Sequence, residues 1–164
     1  MSNTARLPAL EFSVDGVVGQ EVERLVAGLN QSLANLTDLA MDYKQAHWNV
    51  VGLDFIQLHE LFDTFADQAR DYADLVAERA TTLGGGARGT LEATAVQTQL
   101  PPFPEDERDE RQLLVHLAAC LRQVDQQIRE QLEAAAGELA TQDVYIEIAR
   151  GIEKQRWMIQ AHLR

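Results

Sequence analysis

Along four stretches of this chain apolar residues recur every three or four positions, and nowhere do they alternate as a half-buried strand requires. That period commits the chain to helices that pack through one face each. The first stretch carries Val18, Val22, Leu25, Leu29, Leu33, Leu36, Ala40 and Tyr43, and the second Phe55, Leu58, Phe62, Phe65, Ala69, Tyr72 and Val76. The third runs from Glu107 to Ala135 through Leu114, Leu117, Leu121, Val124, Ile128 and Leu132, and the last holds Tyr145, Ile148, Ile152, Ile159 and Leu163. The breaks between them are chemically marked. Trp48-Asn49-Val50-Val51-Gly52 interrupts the first pattern, and Asp54 with Gln57 three residues on predicts the cap of a second helix. Gly84-Gly85-Gly86 after Leu83 predicts its end; Gly137 ends the third helix, and Thr141 is the expected cap of the last. Thr90 to Gln99 fits a short helix inside a long connection that Pro101, Pro102 and Pro104 close.

Four long helices with one long crossover between the second and third predict an all-α fold, a four-helix bundle of ferritin-like connectivity with a short extra helix in that connection. Residues 1–16, with Pro8, Asp15, Gly16 and little periodicity, read as a flexible arm, and 17–164 as the bundle domain. Charge narrows the partners: 14 Lys and Arg against 26 Asp and Glu leave a net −12, which repels nucleic acid and anionic lipid and attracts cations. One cysteine, Cys120, excludes an internal disulfide framework and points to a reducing compartment. With no signal core and no apolar run of membrane-spanning length, a soluble cytoplasmic protein is expected.

The second helix bears the chemistry. His59, Asp63, Asp74 and Glu78 fall on an arc of roughly 100°, turned away from the Leu58–Phe65–Val76 face. His59 with Asp63, and Asp74 with Glu78, are one helical turn apart, so each pair can converge on one ion. The pairs themselves stand ~16 Å apart along the helix, too far for a single metal. A twofold dimer in which two copies of the helix cross antiparallel near Asp67 to Arg70 brings the first pair of one chain to the second pair of the other, making two sites. Imidazole with carboxylate suits iron, manganese or zinc. The same residues also describe an ordinary solvated helix face, and His47, in phase at the end of the first helix, fits either a ligand or a core or interface histidine. The Glu-x-x-His motif with which ferritins build an iron site inside the bundle is absent: Lys44, Ile56, Leu113 and Ile159 stand three residues before the histidines. His116 and Cys120, beside the third helix's stripe, read as structural.

His47-Trp48-Asn49-Val50, Gly52, Phe55, Leu58-His59, Phe62-Asp63, Asp74 and Ala77-Glu78-Arg79 resemble the Dps family, the miniferritins first described as DNA-binding proteins from starved cells. Leu83-Gly84-Gly85, Gly89-Thr90, Gly137, Thr141, Asp143, Arg150, Glu153-Lys154 and Trp157 extend the resemblance over nearly the whole chain. It implies a shell of twelve identical subunits built from twofold dimers. It also implies ferroxidase sites at the dimer interfaces, to which one chain gives His47, His59 and Asp63 and its partner Asp74 and Glu78. Fe(II) would be oxidised there, preferentially by hydrogen peroxide, and stored as ferric mineral; zinc or another divalent metal can share the same ligands. Trp48, beside His47, would pack on the site, take up a stray radical, or anchor the interface.

Iron access in the family runs through a threefold pore lined by acids in a Gly-Asp-x-x-Thr-x-Asp pattern. This chain reads Gly137-Glu138-Leu139-Ala140-Thr141-Gln142-Asp143, with Glu at the first acid. Asp143 is the main pore candidate, with Glu138 and Glu147 beside it; acids in a helix's first turn also simply complement its dipole. DNA binding through a basic tail is not expected, because the arm holds only Arg6 and the C-terminus only Arg156 and Arg164. The alternative function is a shell whose main role is nucleoid binding or another protein contact, with the metal stabilising the dimer.

Overall fold

A computed structural model describes residues 19–164. The expected arm, residues 1–16, and the start of the bundle at 17 and 18 lie outside the described residues. Five helices follow in order: α1 (Gln20–Asn49), α2 (Phe55–Thr82), α3 (Leu91–Gln97), α4 (Glu110–Ala134) and α5 (Leu139–His162). Among the described residues there is no strand, and no helix is long and apolar enough to cross a membrane. The fold is all-α, with α3 as the short helix in the α2–α4 connection.

The periodicity places the core where it should. Leu29, Leu36 and Tyr43 of α1, Leu58, Phe62 and Val76 of α2, Leu117, Leu121 and Ile128 of α4, and Tyr145, Ile152 and Ile159 of α5 are fully buried in one cluster. Each such side chain withdrawn from water stabilises the fold by about 1.5–3 kcal/mol. α1 packs most extensively on α2 and α4 on α5, while α3 lies against α1. The two halves are joined at one end by Val51, whose N–H donates to the Arg108 carbonyl and whose carbonyl accepts from the Glu110 N–H. At that point Gly52 lets the Glu110 carboxylate close on the backbone, because a Cβ there would displace that side chain's end. That carboxylate accepts from the Asp54 N–H at 3.0 Å, tying the α1–α2 turn to the start of α4.

Three helix starts differ from expectation, each for a local reason. Asp54 sits at the N-cap of α2, but its φ −97°, ψ 25° is not the extended conformation that aims a cap, and its side chain makes no capping bond. α4 begins at Glu110 instead of Glu107. The Glu107 carboxylate accepts the N–H groups of Arg108 and Asp109 in a turn, leaving extended Asp109 to cap Gln112. α5 is capped by Glu138, not Thr141; the Glu138 carboxylate accepts from the Thr141 N–H at 2.7 Å while the Thr141 hydroxyl is buried under Arg79. Gly84 (φ 85°) and Gly137 (φ 99°) end α2 and the α4 turn in the left-handed region that glycine adopts without strain.

Candidate metal centre

The last turn of α1 and the first turns of α2 are folded together by the short link between them, and this brings the two histidines face to face. Their rings stack with centroids 3.7 Å apart. His47 Nδ1 lies 2.7 Å from the His59 carbonyl, and His59 Nδ1 lies 2.8 Å from the His47 carbonyl. A carbonyl only accepts, so Nδ1 is the donor in both rings, and in the neutral imidazole the lone pair stands on Nε2. This is the tautomer a metal ligand needs, fixed by a partner on the other nitrogen. Phe55 backs His59, ring to ring at 5.3 Å.

Asp63 follows one turn after His59. Lys44 Nζ donates to it at 2.5 Å, and that hydrogen bond, with the charges of Lys44, His47 and Arg70, holds its carboxyl below the usual range against a smaller opposing effect of desolvation. The same ammonium lies 5.7 Å over the Trp48 ring, and Trp48 itself is 59% exposed. An exposed indole beside ligand-type residues matches an interface residue as well as a site neighbour.

Asp74 and Glu78 lie exposed three turns further along α2, and among the described residues neither carboxylate has a side-chain partner. Asp74 borders a mostly apolar depression of about 320 Å³ between α1, α2 and α3, lined also by Met41, Arg70, Ala73 and Leu91. Of its lining, Met41 and Leu91 are exposed. Thus one chain gathers His47, His59 and Asp63 at one end of α2 and leaves Asp74 and Glu78 at the other. Among the described residues these five side chains form no single ligand cluster.

Of the pore candidates, Asp143 and Glu147 are exposed one turn apart on α5. Glu138 is engaged otherwise. It caps α5 and receives Arg79 Nη2 at 2.7 Å in a pair with both side chains nearly buried. One grouping was not anticipated: Asp42, His116 and Cys120 meet between α1 and α4. The signal for it was half visible, in the one-turn spacing of His116 and Cys120.

Four long helices, a crossover carrying a short fifth, and histidine and carboxylate ligands on an outer face of α2 define a ferritin-like bundle with its candidate iron ligands at a surface. Comparison with known proteins agrees. The Ferritin family, described as a ferritin-like domain, matches residues 26–164. The DNA protection during starvation protein of Agrobacterium fabrum is 38% identical over 138 residues, covering 83% of this chain and 85% of that protein. DpsA14 from Streptomyces coelicolor superposes with a TM-score of 0.90 at 35% identity, over 95% of this chain and 94% of that one. A Dps protein from Vibrio cholerae O1, described as a member of a broad superfamily of ferritin-like diiron-carboxylate proteins, superposes at 0.88 with 26% identity over 96% of this chain and 100% of its own. The chain belongs to the Dps family.

Proposed function

We propose that this protein is an iron-storing, iron-detoxifying miniferritin. In this reading it oxidises Fe(II) with hydrogen peroxide at sites shared across twofold interfaces of a dodecamer. The observation that carries the reading is the reciprocal clamp of His47 and His59, which frees both Nε2 atoms beside Asp63 while Asp74 and Glu78 stay unpartnered on the same helix. A second copy crossing α2 antiparallel supplies the missing carboxylates. The exposed apolar residues near these ligands, Met41, Trp48, Phe55 and Leu91, are surface that such a contact would cover. The relatives' name, DNA protection during starvation, fits removal of the two reagents that together generate hydroxyl radical.

Iron is the substrate. Two Fe(II) ions each give up one electron, hydrogen peroxide takes both and leaves as two hydroxide ions, and the Fe(III) hydrolyses to mineral. The chain's part is to hold iron in a mixed N/O shell, with the imidazole tautomers already set and the carboxylates cancelling charge. Lys44 neutralises Asp63 until a cation replaces it. Asp143 and Glu147, repeated about a threefold axis, focus a negative potential on incoming Fe(II), while Glu138 anchors the start of the helix that presents them. A reducing cytoplasm suits the single free thiol, Cys120.

The test compares peroxide-driven Fe(II) oxidation by the wild type and by Asp74→Ala/Glu78→Ala, with assembly checked by light scattering. The variant should retain the shell and lose rapid oxidation; an unchanged rate, or a monomeric wild type, would overturn the proposal. Protection then works without DNA contact. With net charge −12, linear plasmid at sub-micromolar protein and about 150 mM salt should not shift on a gel, and a shift would refute this part.

A further inference from the structure

Asp42, His116 and Cys120 come together in the interior of a single chain, between α1 and α4 and away from the α2 ligands. The Asp42 Oδ2 atom lies 3.0 Å from His116 Nε2 and 3.4 Å from Cys120 Sγ, and that sulfur lies 3.3 Å from the same Nε2. The Cys120 residue is fully buried, Asp42 nearly so, and the His116 side chain is only 9% exposed, with Phe103 edge-on to its ring at 4.9 Å. The three atoms form a closed triangle of contacts. This is not the relay of a nucleophilic triad, in which acid and thiol sit on opposite nitrogens of the imidazole. Here both sit on Nε2.

Hydrogen bonds serve such a triangle poorly. The imidazole offers at most one proton at Nε2 and the thiol one more, so two protons face three edges, and one pair of atoms is always in contact without a bond. One cation satisfies all three. A point about 1 Å off the plane of the triangle stands ~2.1 Å from each atom, close to the ~2.0–2.1 Å of zinc–nitrogen and zinc–oxygen bonds and a few tenths short of the ~2.3 Å of zinc–sulfur. We infer that Asp42, His116 and Cys120 form an intra-subunit site for a tetrahedral divalent cation of zinc's class, with solvent as the fourth ligand. The site is separate from the shared iron site.

Charge and ligand type agree with that choice. Carboxylate, thiolate and neutral imidazole carry two negative charges, so a divalent cation leaves the buried cluster neutral. A thiolate also favours a borderline-soft metal over Mg²⁺ or Ca²⁺. Binding releases the thiol proton to solvent as the metal–sulfur bond forms, and the imidazole proton that Nε2 donates to Asp42 passes to Nδ1 so that Nε2 can ligate. The cation staples α1 to α4.

Cobalt(II) is the probe, because a cobalt–thiolate bond gives a near-ultraviolet charge-transfer band and tetrahedral cobalt gives intense visible bands. Cys120 is the only cysteine, so such a band in the assembled wild-type protein can arise nowhere else. About one cobalt per subunit should develop it, zinc should bleach it, and Asp74→Ala/Glu78→Ala should leave it intact. Cys120→Ala should abolish it with the shell still assembled. If that variant does not assemble, the wild type decides alone. Cobalt bound without a thiolate band, or no binding beyond the shared sites, overturns the inference.

Discussion

Two crippled parents should restore each other's iron sites, and the fraction restored follows from the geometry of α2. Suppose one parent carries His59→Ala/Asp63→Ala and the other Asp74→Ala/Glu78→Ala. Because the two pairs are ~16 Å apart along one helix, neither parent's own dimer contains a complete site. In a mixed dimer the two symmetry-related sites become unequal. One combines both lesions, and the other combines the intact His59/Asp63 of one chain with the intact Asp74/Glu78 of its partner. With random pairing, about half the dimers are mixed and each holds one good site of two, so the co-assembled shell should show about one quarter of the wild-type sites per chain. Co-expression with two affinity tags and tandem purification gives such shells; peroxide-dependent Fe(II) oxidation and anaerobic Fe(II) stoichiometry both read the fraction. Refutation is plain: dead parents and an equally dead mixture would mean that the two pairs never meet across an interface.

Acid should loosen the α2–α5 contact. Burial works to raise the Glu138 carboxyl, yet its bonds from Thr141 and Arg79 outweigh this and hold it below the ordinary value. A depressed folded-state pKa contributes stability that is present above the unfolded value of about 4.3 and is lost as pH falls through the folded one. Arg79→Met should therefore cost about 2 kcal/mol at neutral pH, and denaturant titrations should show the gap to wild type narrowing below about pH 4. A pH-independent gap would remove the ion pair from the explanation. In the core, Tyr43 Oη donates to Gln155 Oε1 at 2.9 Å, and Gln155 Nε2 donates to Gln68 at 3.0 Å. Tyr43→Phe should lower stability by about 1–3 kcal/mol in urea unfolding, since it strands a buried acceptor, and no loss would mean Gln155 finds another donor. Lys44→Met frees Asp63 from its ammonium and should tighten anaerobic Fe(II) binding a fewfold in calorimetry. Weaker binding would instead make Lys44 the residue that positions Asp63.

What the sequence discloses and what it withholds divide along one line, whether the relevant contact lies within a helix or between helices. The 3.6-residue period exposes the Leu58–Phe62–Val76 core face and the opposite His59–Asp63–Asp74–Glu78 face together, because both are fixed by rotation about a single axis. Caps are harder. Thr141 is the better cap by residue type, but Arg79, far off in sequence, lies on the Thr141 hydroxyl and leaves the role to Glu138. The histidine clamp is beyond any pattern, since His47 and His59 exchange Nδ1–H bonds only after the turn folds them together. Asp42 with His116 is a further case, because α1 and α4 are separated by α2 and the whole α2–α4 connection. These two arrangements set imidazole in opposite ways. At the surface both Nδ1 protons are spent on carbonyls, which leaves Nε2 for a metal in the proposed shared site. In the interior His116 presents Nε2 to an acid and a thiol of its own chain. A shell assembled from such subunits would carry a dynamic iron site that depends on neighbours and a resident site that does not, so dissociating the dimers should abolish the first while sparing the cobalt–thiolate band of the second.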